Sequence, residues 1–221
     1  HPVCHPSLRE GSHTTPAHVL ANILSTHEHD TLPDAIKIGM IGTLANLDVI
    51  CEFLERHPHI PVVLDPVLCA TSGLPLLDAD AYPMLKERLC PRATVLTPNL
   101  DEVGILLGYR PTTVSEMESA ARALQRGTQV VVVKGGHLTG DPVDVVWDGK
   151  MMQYLSAPRV ASPRLRGTGC RLASAMAAEI AQGQDVIAAI THAKNFLIQT
   201  MNISISLKTN KKDQGVKAPG A

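Results

Sequence analysis

Aromatic side chains are scarce in this 221-residue chain: one Trp, three Tyr and two Phe make up 3% of it. So few rings exclude an aromatic platform on which bases could stack. An excess of charge of either sign is also missing, because 20 Lys and Arg face 21 Asp and Glu. Without a global field to hold a polyanion, nucleic acid is not expected as a partner. No apolar run approaches the ~20 residues that span a bilayer, so no membrane partner is expected. The five cysteines (Cys4, Cys51, Cys69, Cys90 and Cys170) are odd in number and form no C-x-x-C pair. That pattern argues against a disulfide scaffold or structural zinc and fits a reduced cytosol, so a cytoplasmic location is expected. The chain opens on His1 with no basic head joined to an apolar stretch, and it shows no internal repeat.

A hydrophobic fraction of 44%, punctuated by 16 Gly and 16 Pro, is enough to build a core. Residues 1–15 carry three His and two Pro at irregular spacing and read as a loop. Thr15-Pro16 opens a helix whose stripe is Val19, Leu20, Ile23 and Leu24. A short strand at 35–38 follows, then an amphipathic helix at 44–55 and a strand at 61–64. A helix at 78–90, a strand at 94–96 and helices near 99–108 and 115–126 come next. Gln129 to Val133 is the strongest strand. Strands that are short and apolar on both faces, alternating with helices, predict a parallel sheet covered on both sides. Val143 to Trp147, Asp148-Gly149 and Met151 to Leu155 then read as an antiparallel edge hairpin. Helices from Gly167 to Gly183 and from about 185 to 201 complete a single domain over residues 1–203. Residues 204–221 read as a flexible tail.

Each parallel strand ends in residues suited to a ligand crevice: Gly39-Met40, Asp65-Pro66-Val67, Thr97-Pro98-Asn99 and Lys134-Gly135-Gly136. In open α/β sheets, ligands sit beyond the carboxyl ends of the strands. Gly167-Thr168-Gly169-Cys170 opens a helix, where amides without intrahelical acceptors and the helix dipole together favour an oxyanion. Alone, the string is weak and reads first as a Gly-rich helix start with a small buried thiol. At such a turn a thiolate is favoured and can take a proton from an attacking hydroxyl. Asp65 and Glu102 can hold Mg²⁺ through water, or can cap helices. Lys134 can lie along a phosphate as a point charge, or is a surface lysine at a turn.

The ordered set Lys37-Ile38-Gly39-Met40, Val63-Leu64-Asp65-Pro66-Val67, Thr97-Pro98-Asn99-Leu100-Asp101-Glu102, Val133-Lys134-Gly135-Gly136-His137 and Gly167-Thr168-Gly169-Cys170 resembles the hydroxymethylpyrimidine/phosphomethylpyrimidine kinases of thiamine biosynthesis, in the ribokinase-like superfamily. The resemblance spans roughly residues 16–200. Sugar-kinase members of the superfamily would carry Asp at the position of Cys170. The resemblance implies a three-layer α/β/α sandwich and ATP-dependent phosphoryl transfer to 4-amino-5-hydroxymethyl-2-methylpyrimidine or its monophosphate. It implies a catalytic anion hole at Gly167, Thr168, Gly169 and Cys170. Asp65 and Glu102 would organise Mg²⁺ and the ATP phosphates, with Lys134, Asn99 and Thr97 on the nucleotide side. Met40 and Val67 would line the pyrimidine pocket, and the chain could pair into a homodimer.

Two departures from the family pattern stand out. The family's opening strand and its segment of the form G-S-D-x-x-G-G-A-G-I-Q-A-D are not found, so a weak or inactive kinase is expected. Leu165-Arg166 and Arg171 flank the last motif where the family usually has Asn-Thr-His and Thr. The two arginines could favour a substrate that already bears a phosphate. Two other readings are a pyridoxal kinase on the same scaffold and a non-catalytic nucleotide-binding remnant.

Overall fold

Four short apolar runs pair side by side in chain order. In the computed structural model, which describes residues 14–70, 73–127, 129–136, 138, 141–157 and 167–213, they are β1 (Ile36–Ile38), β2 (Val62–Leu64), β3 (Val95–Leu96) and β4 (Val130–Val133). All four are parallel. β5 (Val143–Trp147) and β6 (Met152–Ser156) add an antiparallel hairpin. The sheet order is therefore β1-β2-β3-β4-β5-β6. Among the described residues, β1 pairs on one side only, with β2.

Consecutive parallel neighbours force every crossover onto one face if each is right-handed. The two hydrophobic clusters obey that rule. On one face Val62, Leu64, Leu96, Val131 and Val133 pack with α2 (Leu44–Arg56), α4 (Leu100–Leu107) and α5 (Val114–Leu124). On the other, Val63, Val95, Val130, Val132 and Val146 pack with α6 (Thr168–Ala181) and α7 (Val186–Asp213). The result is a three-layer α/β/α sandwich with a mostly parallel sheet, as the alternation of elements predicts.

Three elements differ from the sequence reading. α1 (Ala17–His29) starts where expected, but Val19 and Ile23 of its stripe are exposed. Only one side of this helix, through Leu24, reaches the core, and it packs on α2. The helix expected at 78–90 is a succession of 3₁₀, α and π turns from Ala79 to Arg92, including a single α-helical turn, α3 (Tyr82–Met84). Pro83 and Pro91 lack the N–H that a regular ladder needs. α7 does not end near 201: its backbone stays helical to Asp213, ten residues into the segment read as a tail. Residues 1–13, with the His-rich loop, and Arg166 lie outside the described residues.

Candidate active site

The carboxyl ends of β1 to β4 face the first turn of α6. Gly167, the residue before that helix, has φ 77°, a left-handed backbone that glycine adopts without strain. Arg171 N–H is the first to close an intrahelical bond, to the Gly167 carbonyl at 3.0 Å, which leaves the amides of Thr168, Gly169 and Cys170 without intrahelical acceptors. A methyl group built on Gly169 would stand 3.1 Å from Lys134 Nζ and 3.9 Å from Asp65 Oδ2. The glycine therefore permits the close approach of this turn to those two side chains.

Lys134 and Asp65 are bonded to each other, Nζ to Oδ1 at 2.6 Å, across 69 positions of sequence. Asp65 is 2% exposed, so its carboxylate depends on this partner. Thr97 lies beneath, fully buried, with its hydroxyl 3.5 Å from Asp65 Oδ1. The same hydroxyl lies 3.4 Å from the Leu64 carbonyl, so Thr97 supports Asp65 from within the sheet end. Asn99 is the N-cap of α4. Its side-chain oxygen accepts from the amides of Asp101 and Glu102, both at 2.9 Å, and Glu102 Oε2 in turn accepts from Asn99 N–H at 2.7 Å. This reciprocal capping box draws Glu102 inward, to 4% exposure. Burial pushes the Glu102 carboxyl up to about 7, with Asp65 adding to the rise and Lys134 and the Asn99 amide opposing it.

Cys170 belongs to this cluster, because Asp65, Lys37 and Lys134 all act on it. The direction differs from the sequence expectation. Partial burial, and then the Asp65 carboxylate, which is within hydrogen-bonding reach, push the thiol upward more than the two lysines pull it down. The group is a neutral thiol here, although its residue is exposed. Desolvation and a neighbouring anion outweigh the helix terminus. Lys37, from the middle of β1, was not singled out in the sequence; a cation inside an apolar strand was the available signal.

Met40 and Val67 follow neighbouring strands. Met40 lines a cavity of ≈ 350 Å³ together with Leu20, Leu24, Pro33, Ile50 and Phe53, on the side of α1 and α2. Val67 is half-buried and outside it. A shallow hollow of ≈ 380 Å³ lies beside Cys170, lined by Arg171, Ser174, Ala175 and Phe196. Among the described residues no group of three or more His, Cys, Asp or Glu could cage a metal ion. Among the described residues no helix is long and apolar enough to cross a membrane.

A mostly parallel sandwich with a Gly-rich helix start at its strand ends defines a protein of the ribokinase-like class. The family model for phosphomethylpyrimidine kinase matches residues 7–216, and the chain belongs to that family. It is 37% identical over 207 residues to a thiamine biosynthetic bifunctional enzyme of Arabidopsis thaliana, covering 92% of this chain and 40% of that protein. The chain thus spans about two fifths of the first curated relatives it matches. Among solved structures, an ADP complex of Bacillus subtilis pyridoxal kinase superposes with TM-score 0.74 at 33% identity, covering 82% of this chain and 69% of the other. Phosphomethylpyrimidine kinase from Clostridium difficile superposes with TM-score 0.74 at 26% identity, covering 85% and 77%.

Proposed function

We propose that the chain is a cytoplasmic kinase that transfers phosphoryl from ATP to the hydroxyl of 4-amino-5-hydroxymethyl-2-methylpyrimidine, or to the monophosphate of that compound. The observation that carries this reading is the convergence of the α6 first turn, the Lys134–Asp65 pair, Glu102 and Cys170 at the ends of the parallel strands. Phosphoryl transfer through a loose transition state needs positioning and charge neutralisation more than covalent help. The amides of Thr168, Gly169 and Cys170 and the Lys134 ammonium supply that neutralisation. Cys170, as a thiol, orients the acceptor hydroxyl. A strong base is not required, because little charge develops on an acceptor in a loose transition state.

The donor set fits Mg²⁺. Glu102 is pushed up by burial and by the Asp65 carboxylate, so a nearby cation would relieve it. Magnesium is commonly held by one or two carboxylates together with phosphates, not by a full protein cage. Asp65 and Glu102 would hold it, and when bound it would neutralise phosphate oxygens.

Pyridoxal is the second substrate to consider, because the similarity to the Bacillus subtilis pyridoxal kinase is as strong in fold and stronger in identity than that to the Clostridium difficile enzyme. The test is turnover of Mg·ATP with the pyrimidine alcohol, its monophosphate and pyridoxal in parallel, on the wild type and on Lys134→Met. Phosphorylation of either pyrimidine that disappears in the variant is expected. Nucleotide binding with no phosphorylation of any of the three would overturn the kinase reading, and pyridoxal as sole substrate would replace the pyrimidine.

A further inference from the structure

The strand-to-loop junction that carries Lys134 is pinned on both sides. Lys134 N–H donates to the Pro98 carbonyl at 2.9 Å. The next amide, Gly135 N–H, donates to Asp144 Oδ1 at 3.1 Å. The other oxygen of Asp144 accepts from Lys194 Nζ at 2.6 Å. Asp144 interrupts the apolar strand β5, and Lys194 lies on α7, 50 positions further on. Both are nearly withdrawn from solvent, at 4% and 8% exposure. Gly135 leaves no room for this contact to relax, since a methyl group on it would run into the Val143 carbonyl.

A buried ion pair is weak support for stability, because two apolar residues of similar volume often serve as well. What an apolar pair cannot do is accept the Gly135 amide. We infer that Asp144 is a positioning residue for Lys134: it fixes the peptide that follows Lys134, and Lys194 keeps its carboxylate compensated in the interior. The consequence for phosphoryl transfer rests on the kinase reading. The placement of the Lys134 ammonium does not.

The test compares two double variants of the full 221-residue chain. Asp144→Asn with Lys194→Met removes both charges but keeps a side-chain oxygen for Gly135. Asp144→Leu with Lys194→Met removes the acceptor and packs the site with apolar groups. The readout is the acylation rate of the Lys134 amine by an amine-reactive ester, followed by mass spectrometry. The Asn variant should match wild type, while the Leu variant should label about tenfold faster, the scale of one lost hydrogen bond. If the kinase reading also holds, the Leu variant loses kcat on Mg·ATP while the Asn variant retains it. Equal labelling of Lys134 in two folded variants would reduce the pair to a structural role and overturn the inference, whatever the activity. Should the Leu variant fail to fold, hydrogen exchange at the Gly135 amide in the wild-type chain decides. Protection equal to that of the Lys134 amide supports the inference, and exchange at the rate of an open loop refutes it.

Discussion

Lys134 Nζ stands 2.6 Å from Asp65 Oδ1, and the two side chains are 12% and 2% exposed. One end of this pair directly follows the strand with the strongest apolar run, and the other lies in the turn after β2. The α6 turn approaches from above. Removing one partner leaves an uncompensated charge in the interior. Lys134→Met should therefore cost about 3 kcal/mol in denaturant unfolding, and Asp65→Asn added to it should recover most of that loss. Neither variant should phosphorylate a substrate. Recovery of activity together with stability in the double variant would show that the pair is structural only.

The Glu102 carboxyl gives a pH dependence whose sign follows from burial. In the folded chain it holds its proton up to about 7, against 4.5 ordinarily. Across that interval the folded state binds more protons than the unfolded state, so stability falls as pH rises. The contribution is full below about 4.5 and is lost through about 7. Glu102→Gln keeps an oxygen for the Asn99 amide but does not titrate. The stability of the variant relative to wild type should rise by roughly 2–3 kcal/mol between these limits and level off above them. Unfolding midpoints at pH 5 and pH 8 measure this. A constant difference between the two proteins would refute the assignment of the buried carboxyl.

Most of the layer structure was legible because its signals are local. Short apolar runs end in Gly, Pro or Asn, and Asn99 with Glu102 forms a capping box within four residues. What escaped depends on distance in sequence. Nothing near Asp144 announces Lys194, 50 positions away, although a carboxylate in Val143-Asp144-Val145-Val146 and an ammonium among the buried residues of α7 are each out of place in an apolar pattern. The helix start at Gly167 to Cys170 was readable from its glycines, but the protonation of the thiol was not. That depends on Asp65, which arrives from another strand. Thr97 ends a strand, a local signal. Only the packed structure shows it buried under Asp65.

Cys170 should react as a thiol of raised pKa despite its exposure. Alkylation by iodoacetamide, followed against pH, should have its midpoint above the ordinary 9.0. Lys37→Met should move it higher and Asp65→Asn lower, because the lysine favours the thiolate and the carboxylate opposes it. Cys51 and Cys90 are buried, and burial pushes their thiols to about 11 and about 12, so labelling below those values should report Cys170 with little interference from that pair. A Cys170 midpoint near neutrality would mean that the helix terminus prevails after all, and would restore a thiolate acting as proton acceptor.

Gly169→Ala separates binding of the phosphoryl group from folding. Alanine is the better helix former by about 1 kcal/mol, and Gly169 lies inside α6. The added methyl group crowds the far end of the Lys134 side chain, at 3.1 Å, with Asp65 Oδ2 at an ordinary 3.9 Å, and that lysine end can move by a few tenths of an ångström. Stability should therefore hold or rise. The displaced atom, however, is the ammonium that the kinase reading places against the transferred phosphoryl, and misplacement at a reacting centre lowers rate far more than affinity. The expected outcome is an unchanged or higher unfolding midpoint with kcat on Mg·ATP reduced about tenfold or more, the scale of one misdirected charge-assisted contact. Gly135→Ala is the contrast. Its methyl group would run into the Val143 carbonyl, which is backbone and cannot yield, so both stability and activity should fall together. If Gly169→Ala lowered stability and left kcat untouched, the α6 turn would be a packing element, and the phosphoryl group would have to bind elsewhere.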